Sequence, residues 1–180
     1  MKKSFRIAQF AVLAMTLLAG PLWATQGPVS NAGARGLNEK VRHELVMLPF
    51  YGVYDNLTFA VSGDTVMLTG QVSRPTLKSD AESVVKRIEG VSNVINQIEV
   101  LPVSPWDNQV RRAVYLTLFS ANSPLFRYAL GADPSIHIVV ENGHVTLTGA
   151  VSSKADKNMA SLFVSQLFGV FSVTNDLTVG

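Results

Sequence analysis

The sequence contains no cysteine among its 180 residues. Disulfide bonds and zinc sites built on thiolates are therefore excluded, and so is a lipid anchor that needs a cysteine at a new amino terminus. Histidine is scarce: His43, His137 and His144 come without the carboxylate or thiolate cluster that would complete a metal site. We expect no metal, no cofactor and a protein that is not a lipoprotein.

Charged residues are few, at 16% of the chain. Three of the basic ones, Lys2, Lys3 and Arg6, precede an uncharged, apolar run over residues 7–19. Because this run is shorter than the ~20 residues of a membrane-spanning helix, we interpret residues 1–24 as a cleaved secretory signal peptide. The sequence thus predicts an exported protein of the periplasm, in solution or peripheral to a membrane.

Two function classes find no support. Without the three basic residues of the signal peptide, 12 basic residues remain against 13 acidic ones, a net charge of −1. Such a chain offers no bulk electrostatic attraction to nucleic acid. The sequence also lacks a serine in a nucleophile elbow, a glycine-rich phosphate loop after a strand, and a carboxylate pair in a suggestive setting. We predict no nucleic-acid partner, no catalytic residues and no enzymatic activity.

What the chain does have is an internal repeat. Residues 66–72 (VMLTGQV) return as residues 145–151 (VTLTGAV), a shift of 79 residues. The same shift carries Asn96 onto Asn175. A constant offset without gaps is the mark of a duplicated structural unit. We therefore divide the chain into module one (residues 37–101) and module two (residues 107–180), with a flexible leader at residues 25–36 and a linker at residues 102–106.

Each module shows the same sequence of periodic patterns. In module one, apolar residues at helical spacing end at Pro49, and two stretches of alternating apolar and polar residues then meet at a turn. A second helical pattern follows Pro75, and a final alternating stretch closes the module. In module two the turn is Asn142-Gly143, a strong signal for a two-residue hairpin. We predict the α+β class: two tandem αββαβ modules, each a small mixed sheet covered on one face by two helices.

Together these features resemble the BON-domain family. Within that family the chain is similar to the exported tandem proteins of the periplasmic, osmotically inducible group. The residues that carry the resemblance in module one are Val66, Leu68, Gly70, Val72, Gly90, Val91, Val94, Asn96 and Val100, and their partners lie 79 residues later. The resemblance implies an αββαβ sandwich, an association with phospholipid membranes and envelope stress, and no enzymatic activity.

The copies differ most in the second helix, which we place at residues 155–168 in module two. Met159, Leu162 and Phe168 stand there where module one has an aspartate, a serine and a glutamate. A helix that is apolar nearly all round needs cover on a second side. Three explanations remain open: packing against module one or under the long loop at residues 119–135, a protein partner or self-association, and contact with a membrane.

The long loop of module two adds a second candidate surface. Phe126, Arg127 and Tyr128 would offer an aromatic edge with a cation, which suits a lipid interface. We therefore predict an exported envelope protein that binds phospholipid surfaces or a membrane-associated partner and supports envelope integrity under stress. The alternative is a periplasmic protein-interaction or chaperone-like scaffold that uses the apolar helix. The candidate binding residues are Met159, Leu162, Phe168, Phe126, Arg127 and Tyr128.

Overall fold

A computed structural model describes residues 31–131 and 133–180. The predicted signal peptide, residues 1–24, lies outside the described residues. Module one contains two helices and four strands: α1 (Asn31–Val46), β1 (Asn56–Ser62), β2 (Thr65–Val72), α2 (Pro75–Lys86), β3 (Asn93–Asn96) and β4 (Glu99–Val100).

Module two repeats this order with a short 3-10 turn in its long loop. Its elements are α3 (Pro105–Phe119), the 3-10 turn (Phe126–Ala129), β5 (Ile136–Glu141), β6 (His144–Val151), α4 (Lys154–Ser165) and β7 (Ser172–Val179).

The repeated motif forms the central strand of each sheet. In module one β2 pairs antiparallel with β1 and parallel with β3 and β4. In module two β6 pairs antiparallel with β5 and parallel with β7. Both sheets are mixed and the order of elements is as expected, so the predicted α+β fold of two tandem modules is confirmed.

The glycine of the repeated motif is explained by a close backbone approach. Gly70 and Gly149 have φ angles of 112° and 114°, a region that side chains disfavour. A Cβ atom on Gly70 would overlap the carbonyl oxygen of Asn56, and one on Gly149 would overlap that of Ser135. Each glycine thus lets the central strand lie against the start of its antiparallel neighbour.

The repeated asparagine has the same role in both modules. Nδ2 of Asn96 donates to the carbonyl oxygen of Lys78 at 2.9 Å, and Nδ2 of Asn175 donates to that of Lys157 at 2.7 Å. Each bond ties the strand that carries the asparagine, β3 or β7, to the first turns of the module's second helix. The duplication is therefore visible in single hydrogen bonds as well as in topology.

Three helix ends differ from the sequence-based bounds. α1 begins at Asn31 and so takes in residues 31–36, which were assigned to the flexible leader. α3 begins at Pro105, inside the predicted linker, because Ser104 accepts a hydrogen bond from the Asp107 amide at 3.1 Å and proline suits a first turn. α4 ends at Ser165, which leaves Phe168 in the turn that follows the helix.

Each module has its own hydrophobic core between the helices and one face of the sheet. In module one the predicted helix faces are buried, including Val41 and Leu45 of α1 and Ala81 and Val85 of α2. In module two the long loop adds Leu125 to the core.

The loop before β1 joins the two modules. Val53 and Tyr54 of this loop pack against the core of module two, and the Ile138 amide donates to the carbonyl oxygen of Val53 at 2.7 Å. Next to this bond, the ring of Tyr51 lies 5.7 Å from that of His137. Strand β5 is therefore buried on both of its faces.

Candidate functional site: an apolar tip on module two

Three aromatic side chains cluster at one end of module two, where α3 begins and α4 has ended. Trp106 is 42% exposed, Phe168 90% and Phe171 71%. We call these three residues the apolar tip. Residues 158–175, which include both phenylalanines, contain no charged residue. Single exposed apolar side chains are common on proteins, whereas exposed apolar side chains that lie together mark contact surfaces.

Trp106, the first of the three rings of the tip, packs against the turn after α4 and against Phe168. A Cβ atom on Gly169 would lie 2.9 Å from Cζ2 of Trp106, so the indole rests directly on the backbone of this turn. The ring of Phe168 meets the indole edge to face, with centroids 5.8 Å apart and planes at 72°. This is a favoured geometry for aromatic pairs.

Phe171, the third ring of the tip, packs against the β5–β6 hairpin. A Cβ atom on Gly143 would lie 2.6 Å from Cδ2 of Phe171, so this ring also lies on bare backbone. The Phe171 amide donates to the carbonyl oxygen of Gly143 at 2.9 Å, and the His144 ring stands 6.1 Å away at the edge.

A buried carboxylate fixes the hairpin turn under the tip. Asp107, in the first turn of α3, accepts hydrogen bonds from the amides of Asn142 at 3.0 Å and Gly143 at 2.8 Å. The turn has φ angles of 51° at Asn142 and 76° at Gly143, as the Asn-Gly pair predicted. The rings of the tip thus stand on a backbone that is held in place from below.

The predicted residues of α4 fall into two groups. Met159 is half-buried and packs against the core of module two. Leu162 is 56% exposed on the helix, and Phe168 belongs to the tip. Internal packing therefore covers Met159 but leaves Leu162 and Phe168 open to solvent.

The loop residues do not form the aromatic edge that the sequence suggested. Tyr128 is only 6% exposed, and its hydroxyl donates to Oδ2 of Asp156 at 2.9 Å. Arg127 reaches the same oxygen at 2.6 Å. Phe126, in contrast to Tyr128, has an exposed ring, at 40%. Tyr128 therefore belongs to the packing of module two and we leave it out of the candidate surface. Arg127 pairs with Asp156 while 55% of its side chain stays exposed.

In the polar cluster, Arg127, Tyr128 and Ser153 surround the carboxylate of Asp156 and favour its charged form. The hydroxyls of Ser153 and Tyr128, together with Arg127, hold the pKa of Asp156 below its usual value despite burial. The hydrogen bond to Tyr128 and the Asp156 charge raise the pKa of Arg127. In module one the position of Asp156 is occupied by Leu77, which is fully buried. A carboxylate is tolerated in module two because the long loop supplies its donors.

Two residues of the tip were not predicted. Trp106 was assigned to the linker, and Phe171 follows the turn after the second helix. A signal was present, since Phe171 aligns with Ser92 of module one and lies in the uncharged segment of residues 158–175. The approach of both rings to a glycine on another segment is not visible in the sequence.

Within the part of the chain that the structure describes, no group of three or more histidine, cysteine or acidic residues could hold a metal ion. In the same ranges, no helix combines the length and the apolar character needed to cross a membrane.

Comparison with known proteins gives a family and a relative. The sequence profile of the BON domain matches residues 36–102 and 126–180. The chain is 31% identical to the outer membrane lipoprotein DolP of Haemophilus influenzae over 108 residues, which make up 60% of this chain. The chain spans about half of that relative's length, at 54%.

Solved structures give weaker likenesses. The C-terminal domain of CdsD, a structural protein of the type III secretion system of Chlamydia trachomatis, is 14% identical with a TM-score of 0.32, covering 80% of this chain and 97% of the other. A second structure of CdsD is 15% identical with the same TM-score, covering 81% and 92%.

The predicted localisation needs correction. We expected a protein of the periplasm that is not a lipoprotein, from the lack of cysteine. That prediction is wrong on this comparison, because the relative is an outer membrane lipoprotein. The predicted family is confirmed: the two profile matches together cover more than half of the sequence. The chain belongs to the BON domain family and carries two BON domains in tandem.

Proposed function

We propose that this chain is a non-catalytic, envelope-associated protein that binds phospholipid membrane surfaces through the apolar tip and so supports envelope integrity under stress. The exposure of Phe168, whose ring packs on Trp106, and of Phe171 in the segment that follows the same turn carries the proposal. Tryptophan is enriched at the membrane–water interface, and phenylalanine suits the acyl boundary below it. The family and the lipoprotein relative support an association with the envelope.

The size of the tip indicates reversible binding. Full burial of a phenylalanine side chain contributes about 1.5–3 kcal/mol, so two such rings contribute about 3–6 kcal/mol. A dissociation constant of 1 mM corresponds to about 4 kcal/mol. The tip alone would therefore hold the protein at a membrane in the millimolar to micromolar range, close to the strength of a single acyl chain.

Tryptophan fluorescence tests the insertion directly. Of the two tryptophans of the chain, Trp23 lies in the predicted signal peptide, so in the protein without residues 1–24 the emission comes from Trp106 alone and the apolar run at residues 7–19 cannot bind the vesicles. Vesicles of phosphatidylglycerol and phosphatidylcholine should shift the Trp106 emission to the blue, and the protein should float with them in a density gradient. No shift and no flotation at low salt would exclude direct lipid binding.

Module one supplies the test variants. Phe168→Glu and Phe171→Ser introduce the residues that module one has at the aligned positions. Together they should abolish flotation and leave the melting temperature nearly unchanged, because both rings lie at the surface. Met47, 65% exposed in module one, gives the matched control: Met47→Ser should float like the wild type. Equal loss in the control would place binding outside the tip.

Leu162 favours a second candidate function. It is a large apolar residue on α4 with 56% of its surface exposed. This exposure supports an envelope protein-interaction or chaperone-like scaffold, or self-association through module two. If Leu162→Ser removes capture of a protein partner or a dimer while flotation persists, the scaffold function is the better account.

A further inference from the structure

A basic cleft of about 630 Å³ lies between the modules. Module one contributes Arg74 and Tyr54, and α3 of module two contributes the opposite wall. We call this the arginine cleft. The residues that line the cleft include Tyr54, Arg74, Asn108, Arg111, Arg112 and Tyr115.

The cleft has three guanidinium groups and no carboxylate among the described residues that line it. Two buried carboxylates, Asp107 and Asp55, act electrostatically on Arg111, but each is already bonded elsewhere. Asp107 accepts from the hairpin turn, and Asp55 accepts from the amide and hydroxyl of Ser73 at 2.7 and 2.8 Å. These donors are neutral, so both carboxylates keep their charge, and the three guanidinium groups exceed them by one positive charge, which an anion in the cleft would balance.

Arg111 is fixed at the module-two wall. It is 5% exposed and donates to Oδ1 of Asn108 at 2.7 Å and to the carbonyl oxygen of Val140 at 2.6 Å. Its Nε has no acceptor, and burial lowers the pKa of this guanidinium. Asp107 and Asp55 act on Arg111 without accepting a hydrogen bond from it, so the free Nε remains available to an anionic acceptor.

The other walls supply further donors. The charges of Arg111 and Arg112 both act on the hydroxyl of Tyr54, and burial raises the pKa of Tyr54, so it remains a protonated donor. The ring of Tyr115 stands 6.3 Å from that of Tyr54. On the module-one wall, the guanidinium of Arg74 lies over the Phe50 ring at 4.8 Å, a cation–π contact.

We propose that the arginine cleft binds a phosphate ester, held between Arg74 of module one and Arg112 of module two, and thereby fastens the two modules together. Planar guanidinium groups match the oxygens of phosphate, and the tyrosine hydroxyls provide additional donors. A volume of about 630 Å³ exceeds what a bare phosphate fills and suits a small organic phosphate. The site does not depend on the apolar tip.

Two probes distinguish the sources of such a phosphate. The full chain is titrated calorimetrically at low salt with glycerol 3-phosphate, a soluble ester, and with dihexanoylphosphatidylglycerol below its micellar concentration. At least one probe should bind, and the tighter one identifies a soluble ester or a lipid headgroup as the ligand. Acetate has the charge without the tetrahedral oxygens and should bind at least tenfold more weakly. Equal binding of acetate, or no binding of either probe at millimolar concentration, would overturn the proposal.

Variants locate the site. The double variant Arg74→Gln, Arg112→Gln should weaken binding of the phosphate probe at least tenfold and lose the increase in melting temperature that bound ligand produces. Without ligand its melting temperature should match or exceed that of the wild type, because the repulsion between guanidinium groups is reduced. This separates loss of the site from loss of the fold.

The matched control is Arg87→Gln, which removes an exposed arginine of module one outside the cleft. It should bind the probe like the wild type, and equal weakening would show that only net charge matters and overturn the proposal. The tip variant Phe168→Glu should also bind the probe normally. The arginine cleft and membrane binding through the tip can therefore fail independently.

Discussion

The hydroxyl of Tyr128 donates a hydrogen bond of 2.9 Å to Oδ2 of Asp156 and accepts one of 2.8 Å from the amide of Ser152. In module one the corresponding amide, that of Ser73, donates to Asp55 instead. Both copies need an acceptor for the amide that follows the central strand. Module two meets this need with a tyrosine from its long loop.

Removal of this hydroxyl should destabilise module two. Tyr128→Phe keeps the ring but leaves the Ser152 amide without its acceptor. We expect a loss of about 1–3 kcal/mol in the free energy of unfolding, measured by urea denaturation. Tyr115→Phe is the control, since that ring is partly exposed and makes ring contacts alone in the structure. If both variants lose the same free energy, the hydroxyl of Tyr128 has no special role.

Acid should remove the contribution of Asp156. The Ser153 and Tyr128 hydroxyls hold the pKa of this carboxyl below its usual value, which is about 3.9 in an unfolded chain. Because the folded-state pKa is the lower one, the stabilisation is complete above about pH 4 and is lost as the pH falls through the folded-state value. The wild type should therefore be more stable than Asp156→Asn at pH 6, and the difference should shrink at pH 3. A difference that does not change with pH would contradict this coupling.

A methyl group on the motif glycine should not be accommodated. Gly149→Ala places a Cβ atom on the carbonyl oxygen of Ser135 at a φ angle of 114°. We expect a loss of more than about 2 kcal/mol, since strained backbone alone costs about 1–3 kcal/mol. Gly52→Ala is the control, because nothing lies within 4 Å of the Cβ position at Gly52. It should change the free energy of unfolding by less than about 1 kcal/mol. Thermal and urea denaturation compare the two.

The hairpin turn should depend on Asp107. Asp107→Ala leaves the amides of Asn142 and Gly143 without acceptors, and we expect a loss of about 2–3 kcal/mol. The amide hydrogens of these two residues should exchange faster with solvent in the variant. Asp107→Asn keeps one acceptor oxygen and should lose less. Unchanged exchange in Asp107→Ala would show that the carboxylate does not hold the turn.

The repeated asparagine offers a test of the duplication. Asn175→Asp keeps the shape of the side chain and removes the donor to Lys157. The equivalent change Asn96→Asp removes the donor to Lys78. Asn175→Asp should lower the free energy of unfolding by about 1–2 kcal/mol, and Asn96→Asp by more, because Nδ2 of Asn96 also donates to Oε2 of Glu82 at 3.0 Å. If one variant is neutral, the two hydrogen bonds are not equivalent.

Much of the fold could be predicted because its signals are local. The spacing of Val41 and Leu45, the Asn142-Gly143 turn and the 79-residue repeat all report backbone periodicity or turn geometry, and the structure follows them. The start of α3 was missed because Pro105 was taken as part of a stiff linker, although Ser104 before it caps the helix. Helix ends depend on single caps, which periodicity does not contain.

The candidate surface was predicted only in part. Comparison of the two copies found Leu162 and Phe168, because both replace polar residues of module one. It also selected Tyr128, which the structure buries, and it missed Trp106 and Phe171. In each of these cases the outcome depends on a contact between segments far apart in the sequence.

The sequence by itself determined the duplication, the order of helices and strands and the family, since each follows from a repeated local pattern. The tertiary structure alone decided which apolar residues are covered and how the modules meet. Tyr128 is buried with its hydroxyl satisfied, since this group donates to Asp156 and accepts from the Ser152 amide. Phe168 stays exposed because no segment of the described chain crosses the tip. A periodic pattern says which side of an element is apolar, and only the approach of distant segments decides whether that side is buried.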